Sequence, residues 1–297
     1  MKTSEFKRYH PLVNFIYFTA AFVFTCLFLH PVALLISLFT AFCFFIMLKS
    51  ASSVRKTLLF LFPMLILTSL INPAFNHRGK TILLYLPSGN PLTFESVYFG
   101  LVYAAMIISV ILFFSCFGEI ITSDKFIYLF GRVFPSLSLA ISMVLSFVPK
   151  FVSRFKEVSS MRKCLGKSVS EKGISKKFKN ALAILSVIVS WSLESAIDTA
   201  DSMKSRGYGF AGRTAFSIYK FSKRDLFALL YVLLLSAYVI VGAVNGIMDF
   251  SCFPEIKIAE FSFYSFTVFA CYFALLAMPV FIELWEVKRW NSIKSNL

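Results

Sequence analysis

Apolar runs close to bilayer length, broken by short polar turns and one long basic stretch, restrict this chain to a helical membrane protein. Only helices and closed barrels satisfy their own backbone groups in lipid. Runs of about 20 apolar residues suit a spanning helix, not a barrel strand. Six such runs are read, over residues 12–29, 32–48, 58–71, 96–117, 226–244 and 261–284. The third is short and contains Pro63. Composition agrees. The 297 residues are 58% hydrophobic, with 37 Phe and a mean hydropathy of +0.77, beyond the roughly 45–50% apolar content of soluble domains. The expected fold class is all-α, a polytopic membrane protein with about six transmembrane helices and two long cytoplasmic helices.

Charge sets the expected orientation. Lys49, Arg55 and Lys56 follow the second run, and Lys288, Arg289 and Lys294 close the chain. Between the fourth and fifth runs stand Lys150, Arg154, Lys156, Arg162, Lys163, Lys167, Lys172, Lys176, Lys177 and Lys179. The opposite side holds only Arg78, Lys80 and Lys257. Lys and Arg collect on the cytoplasmic face, so both termini and the central region are expected there. The first run leads into His30-Pro31 without an evident cleavage site, and is expected to remain as a span. Three regions follow: four spans in 1–118, a cytoplasmic or interfacial region in 119–224, and two spans with a short tail in 225–297.

The central region predicts two helices. The first covers about 135–164, with a kink at Pro149, where the ring removes an amide donor, and Gly166 as its C-terminal cap. Residues 134–148 are apolar enough to span, but a crossing there would carry the basic stretch after Lys150 outside, so they are expected near the inner interface. A linker, 167–173, leads to the second helix. Phe178, Leu182, Leu185, Val189, Leu193, Ala196, Ala200 and Met203 recur at three-four spacing and predict one apolar stripe. The two helices are expected to pack along their stripes as a rigid lever. On the outer side, residues 72–91 are expected to form a turn-rich loop, marked by Pro-Ser-Gly-Asn-Pro at 87–91.

Several chemistries are weighed and set aside. Gly79-Lys80-Thr81 and Gly166-Lys167-Ser168 imitate part of a phosphate loop, but the Gly needed five positions earlier is Ala74 in one and Met161 in the other,. The six Cys and three His lie apart, without metal-ligand spacing, so no metal and no cofactor is expected. A net charge of +15 on a membrane protein points to anionic lipid heads, not nucleic acid. Ion-coupled carriers keep carboxylates at depth, whereas Glu119, Glu283 and Glu286 fall at span ends. A stand-alone carrier or channel, and a lipid-modifying enzyme, remain the rival classes.

The second central helix ends in Ser205-Arg206-Gly207. An Arg in the last turn and a Gly just beyond it form an ordinary C-terminus, complementary to the helix dipole. The same tip also suits a peg entering a groove, because Arg makes bidentate bonds to carboxylates.

Ser202 to Gly209, continuing through Gly212-Arg213-Thr214 and Phe221 to Asp225, resembles the transmembrane T component of energy-coupling factor (ECF) transporters. The likeness extends to Tyr9-His10-Pro11, His30-Pro31, Asn72-Pro73 with Phe75 and Gly79, Phe134-Pro135, and Val148-Pro149-Lys150. The resemblance implies a non-catalytic subunit of an ATP-driven importer in a bacterial or archaeal-type cell membrane. It implies two ABC-type ATPase subunits docked on the tips of two coupling helices, and a membrane-embedded S component that captures a vitamin or transition-metal ion. By position, Ser205, Arg206 and Gly207 form the second docking motif. The first falls at Cys164-Leu165-Gly166, where Leu165 replaces the family's Arg. Arg162 or Lys163 could substitute there, or the contact could be apolar.

Overall fold

The computed structural model describes residues 4–76, 79–85, 91–131, 134–166, 174–208, 210, 219–252, 256–258 and 262–295. Arg78, the loop at 87–90, the linker at 167–173, Gly209 and Gly212-Arg213-Thr214 lie outside them. The chain packs as two units, Met1–Phe126 with Tyr219–Leu297, and Ile127–Ile218.

In the first unit, a 3-10 turn over Phe6–Arg8 leads into α1 (Pro11–Leu27) and α2 (Pro31–Leu48). Both helices start the same way. Proline stands at N1, where its missing N–H is no loss. The preceding His accepts the next amide on Nδ1: Leu12 N to His10, and Val32 N to His30, each at 3.3 Å. The paired His-Pro sequences are therefore helix caps.

α3 spans Ala51–Phe75, longer than the expected 58–71, and carries Pro63 and Pro73 inside it. The discrepancy has a simple cause. Hydropathy marks the apolar part, while the helix also includes the polar turn bearing Arg55 and Lys56. Strands β1 (Ile82–Tyr85) and β2 (Pro91–Thr93) pair antiparallel before α4 (Phe94–Ile120). Glu95 closes this end, accepting the Thr81 amide at 3.2 Å and its hydroxyl at 2.5 Å. Helices α3 and α4 pack so closely that a Cβ at Gly100 would come within 2.5 Å of Ser69 O. Within α5 (Ser123–Gly131), after Phe126, the chain enters the second unit.

It returns to α8 (Lys223–Val244), passes strands β3 (Phe250–Ser251) and β4 (Lys257–Ile258), and continues into α9 (Phe263–Ser295). Tyr17, Phe18, Phe44, Phe45, Phe113 and Tyr272 are fully buried at the centre of the first unit, and Tyr17 donates to Leu276 O at 2.8 Å.

The second unit is dominated by α6 (Pro135–Cys164) and α7 (Ile174–Ser205). By length and composition, α2, α3, α4, α6, α7, α8 and α9 could each cross a membrane, while α1 is shorter at 17 residues. The six expected spans correspond to α1–α4, α8 and α9. α6 and α7 also meet the length; flanking charge is the argument against a crossing by residues 134–148, while the expectation for α7 is an amphipathic cytoplasmic helix. The protein is an all-α polytopic membrane protein.

Candidate partner-docking site

Helix α7 closes on a Schellman motif. Tyr208 N donates to Met203 O at 3.0 Å and Gly207 N to Lys204 O at 2.9 Å, which satisfies carbonyls that a helix end leaves open. The closure needs a left-handed residue, and Gly207 supplies it at φ +76°. Helix α6 shares the left-handed glycine and the second of these bonds: Gly166 has φ +72°, and its amide donates to Lys163 O at 3.1 Å. Arg206 and Ser205 are exposed at the α7 tip, and Ser205 Oγ donates back to Ser202 O at 2.9 Å.

The two helices run antiparallel. Arg162 Nη2 donates to Asn180 Oδ1 at 3.2 Å, and the Arg154 guanidinium lies 5.1 Å from the Trp191 ring centre. Phe151 meets Trp191 edge-on at 5.9 Å. Farther along, Lys150 of α6 shares a groove with Asp198, Thr199, Ser202, Met203 and Arg206 of α7. The capped ends therefore lie at opposite ends of the pair. From Lys150 to Gly166 along α6 is roughly 24 Å at about 1.5 Å per residue.

The seam between the helices differs from the expected stripe. Asn180, Ala183, Ile184, Ile188, Trp191, Ser192, Ser195, Thr199 and Met203 are buried or half-buried on α7, whereas Phe178, Leu182, Leu185, Val189, Leu193, Ala196 and Ala200 of the expected stripe stay exposed, so that only its last residue, Met203, is covered. In the seam Trp191 meets Phe151 and Arg154 of α6, and Asn180 bonds to Arg162, beside the covered Ile184 and Ile188. Most of the apolar stripe is left outward, and spacing alone does not say which face pairs.

The residues named at the α6 tip separate into two groups. Arg162 folds back onto α7, with Nε buried and lacking a hydrogen-bond partner among the described residues. Lys163, Cys164, Leu165 and Gly166 are exposed, Leu165 at 74%, beside Met161 at 63%. This tip therefore presents an apolar pair and one ammonium group, and α7 presents Arg206. The groove beside Arg206 holds two cations, Arg206 and Lys150, against one carboxylate, Asp198, so its excess charge suits an acidic partner. Asp198 and Ser202 were not singled out from the sequence as groove residues. Their four-residue spacing to Arg206 puts all three on one helix face, a signal that was available.

No family model matches the chain. A curated relative, "Energy-coupling factor transporter transmembrane protein EcfT" of Lactobacillus helveticus (strain DPC 4571), is 35% identical over 106 residues. The match takes in 35% of this chain and 38% of the relative, so the chain spans well under half the length of the protein it matches. The resemblance read from the motifs is thus met by a curated membrane protein of that same name.

Proposed function

We propose, on the premise of that relative, that this chain is the transmembrane coupling subunit of an ATP-driven ECF-type importer, without catalysis of its own. Its partners are two ABC-type ATPases and a substrate-capturing S component for a vitamin or transition-metal ion. It lies in a bacterial or archaeal-type cell membrane with both termini cytoplasmic. The observation that carries this reading is the antiparallel pair itself. Two exposed, glycine-capped tips at opposite ends suit two separate ATPases, one per tip. Arg206 enters a carboxylate-bearing groove of one ATPase, and the α6 tip engages the other through Met161, Lys163 and Leu165. The outward stripe of α7 is free to meet the S component within lipid.

Tagged chain tests the reading directly. ATPases are expected to co-purify with it and to hydrolyse ATP, and Arg206→Ala should weaken their retention. Truncating one partner of a desolvated charge pair costs about 2 kcal/mol or more, a roughly 30-fold loss. Impermeant thiol reagents should reach exposed Cys164 only from the cytoplasmic side. Full transport by the chain reconstituted alone, or external labelling of Cys164, would overturn the proposal.

A further inference from the structure

The second unit is inserted into the first, so the chain leaves the first unit near Phe126 and returns at Tyr219. Both points are held by the same short N-terminal segment. On the outgoing side, Lys125 is 3% exposed, and its Nζ donates to Lys7 O at 2.5 Å. Asn14, with its amide turned to satisfy both neighbours, accepts from the same Nζ at 2.7 Å and donates to Phe6 O at 3.2 Å. On the returning side, the buried Asp225 divides its oxygens. Oδ2 accepts from Ser222 Oγ at 2.6 Å and Ser222 N at 3.0 Å, while Oδ1 accepts His10 N at 3.1 Å. The Arg224 guanidinium sits 4.2 Å from the Tyr9 ring centre, and the Phe221 ring meets His10 at 5.2 Å. Tyr219 stands beside Thr122 and Asp124, so the two crossings also touch each other. The segment is itself fixed: Glu283 of α9 accepts Phe6 N at 3.3 Å and the Ser4 hydroxyl. The Phe6 ring is fully buried against Tyr9, Tyr17, Phe18 and Phe44.

We infer that residues 4–10 are the anchor through which movement of the coupling helices enters the membrane-embedded unit, with Lys125 and Asp225 as positioning residues. This rests on the coupling role proposed above. Lysine is almost never fully buried without a charged partner, and among the described residues the acceptors of Lys125 are neutral, a carbonyl and an amide. Burial, with the nearby Lys7 charge adding to it, pulls its ammonium down to about 8. An apolar side chain would fill the space at lower solvation cost, but it would not fix a direction. Two hydrogen bonds on the outgoing arm, and a shared carboxylate on the returning one, hold both arms in one register.

The test uses the complex of tagged chain, ATPases and S component in proteoliposomes. The tracer is whichever of riboflavin, thiamine, biotin, folate, Ni2+ or Co2+ the unsubstituted complex accumulates. The readout is tracer imported per ATP hydrolysed, at equal amounts of assembled complex. Lys125→Met and Arg224→Gln should each lower that ratio at least about five-fold, within the range of a coupling free energy, with ATPase recovery and hydrolysis retained. Arg224 is exposed, so its variant folds as a surface change does and decides the matter if Lys125→Met does not assemble. An unchanged ratio, or hydrolysis falling in step with uptake, overturns the anchor. Absence of ATPases from the unsubstituted preparation would instead overturn the underlying functional reading.

Discussion

Gly166 and Gly207 share almost the same left-handed backbone, φ +72° and +76°, at the ends of two helices that run in opposite directions. Their surroundings differ. A Cβ added at Gly166 meets nothing within 4 Å, while one at Gly207 lies 3.2 Å from Phe210 Cδ2.

That difference ranks two substitutions. A non-glycine residue in this conformation costs about 1–2 kcal/mol. Gly166→Ala is expected to cost that and no more. Gly207→Ala must also displace the Phe210 ring, so it should fray the α7 tip further and weaken ATPase retention more. Hydrogen exchange at the amides of residues 207 and 208, with ATPase binding, checks the order. Equal effects at the two sites would contradict it.

Arg162 and Leu165 make a second pair of expectations. Arg162 bonds to Asn180 inside the helix pair, so Arg162→Ala should lower the thermal midpoint by the equivalent of about 1 kcal/mol and leave docking largely intact. On the proposed docking role, Leu165→Arg adds a docking cation at an exposed position and should strengthen ATPase retention at that tip. If Arg162→Ala abolishes retention without loss of stability, Arg162 is the docking cation after all.

Lys125 supplies a pH signature. Its ammonium titrates near 8 in the folded chain against an ordinary 10.5. Between those values the unfolded chain binds the extra proton, so this group's contribution to stability rises with pH and is level outside the window. At 1.36 kcal/mol per unit the rise is at most about 3 kcal/mol. Subtracting the Lys125→Met melting curve from the parent curve at pH 7 to 10.5 should expose the slope. A flat difference would show that Lys125 keeps an ordinary affinity for its proton.

How far the sequence disclosed all this depends on how local the cause is. Pro135 at N1 and Gly166 at the cap are local signals, and α6 begins and ends where they stand. Gly207 ends α7 for the same reason. The length of α3 was hidden because hydropathy reports lipid contact, while helical hydrogen bonding takes in the polar turn with Ser52 and Arg55 outside the apolar run. The seam of α7 was hidden because two of its faces repeat at helical spacing, and only α6 decides between them. The clamp on residues 4–10 joins Lys7 to Lys125 and His10 to Asp225, 118 and 215 positions apart. Nothing in the short-range pattern around Lys125 distinguishes it from the exposed lysines elsewhere.

The opposed tips of α6 and α7 also set which inputs the pair can tell apart. Equal thrusts delivered to both ends cancel as torque and leave only translation, whereas unequal or contrary thrusts turn the pair about its middle. Two ATPases gripping such a beam would be read by their difference, so a defect confined to either grip would change the kind of stroke delivered as well as its strength.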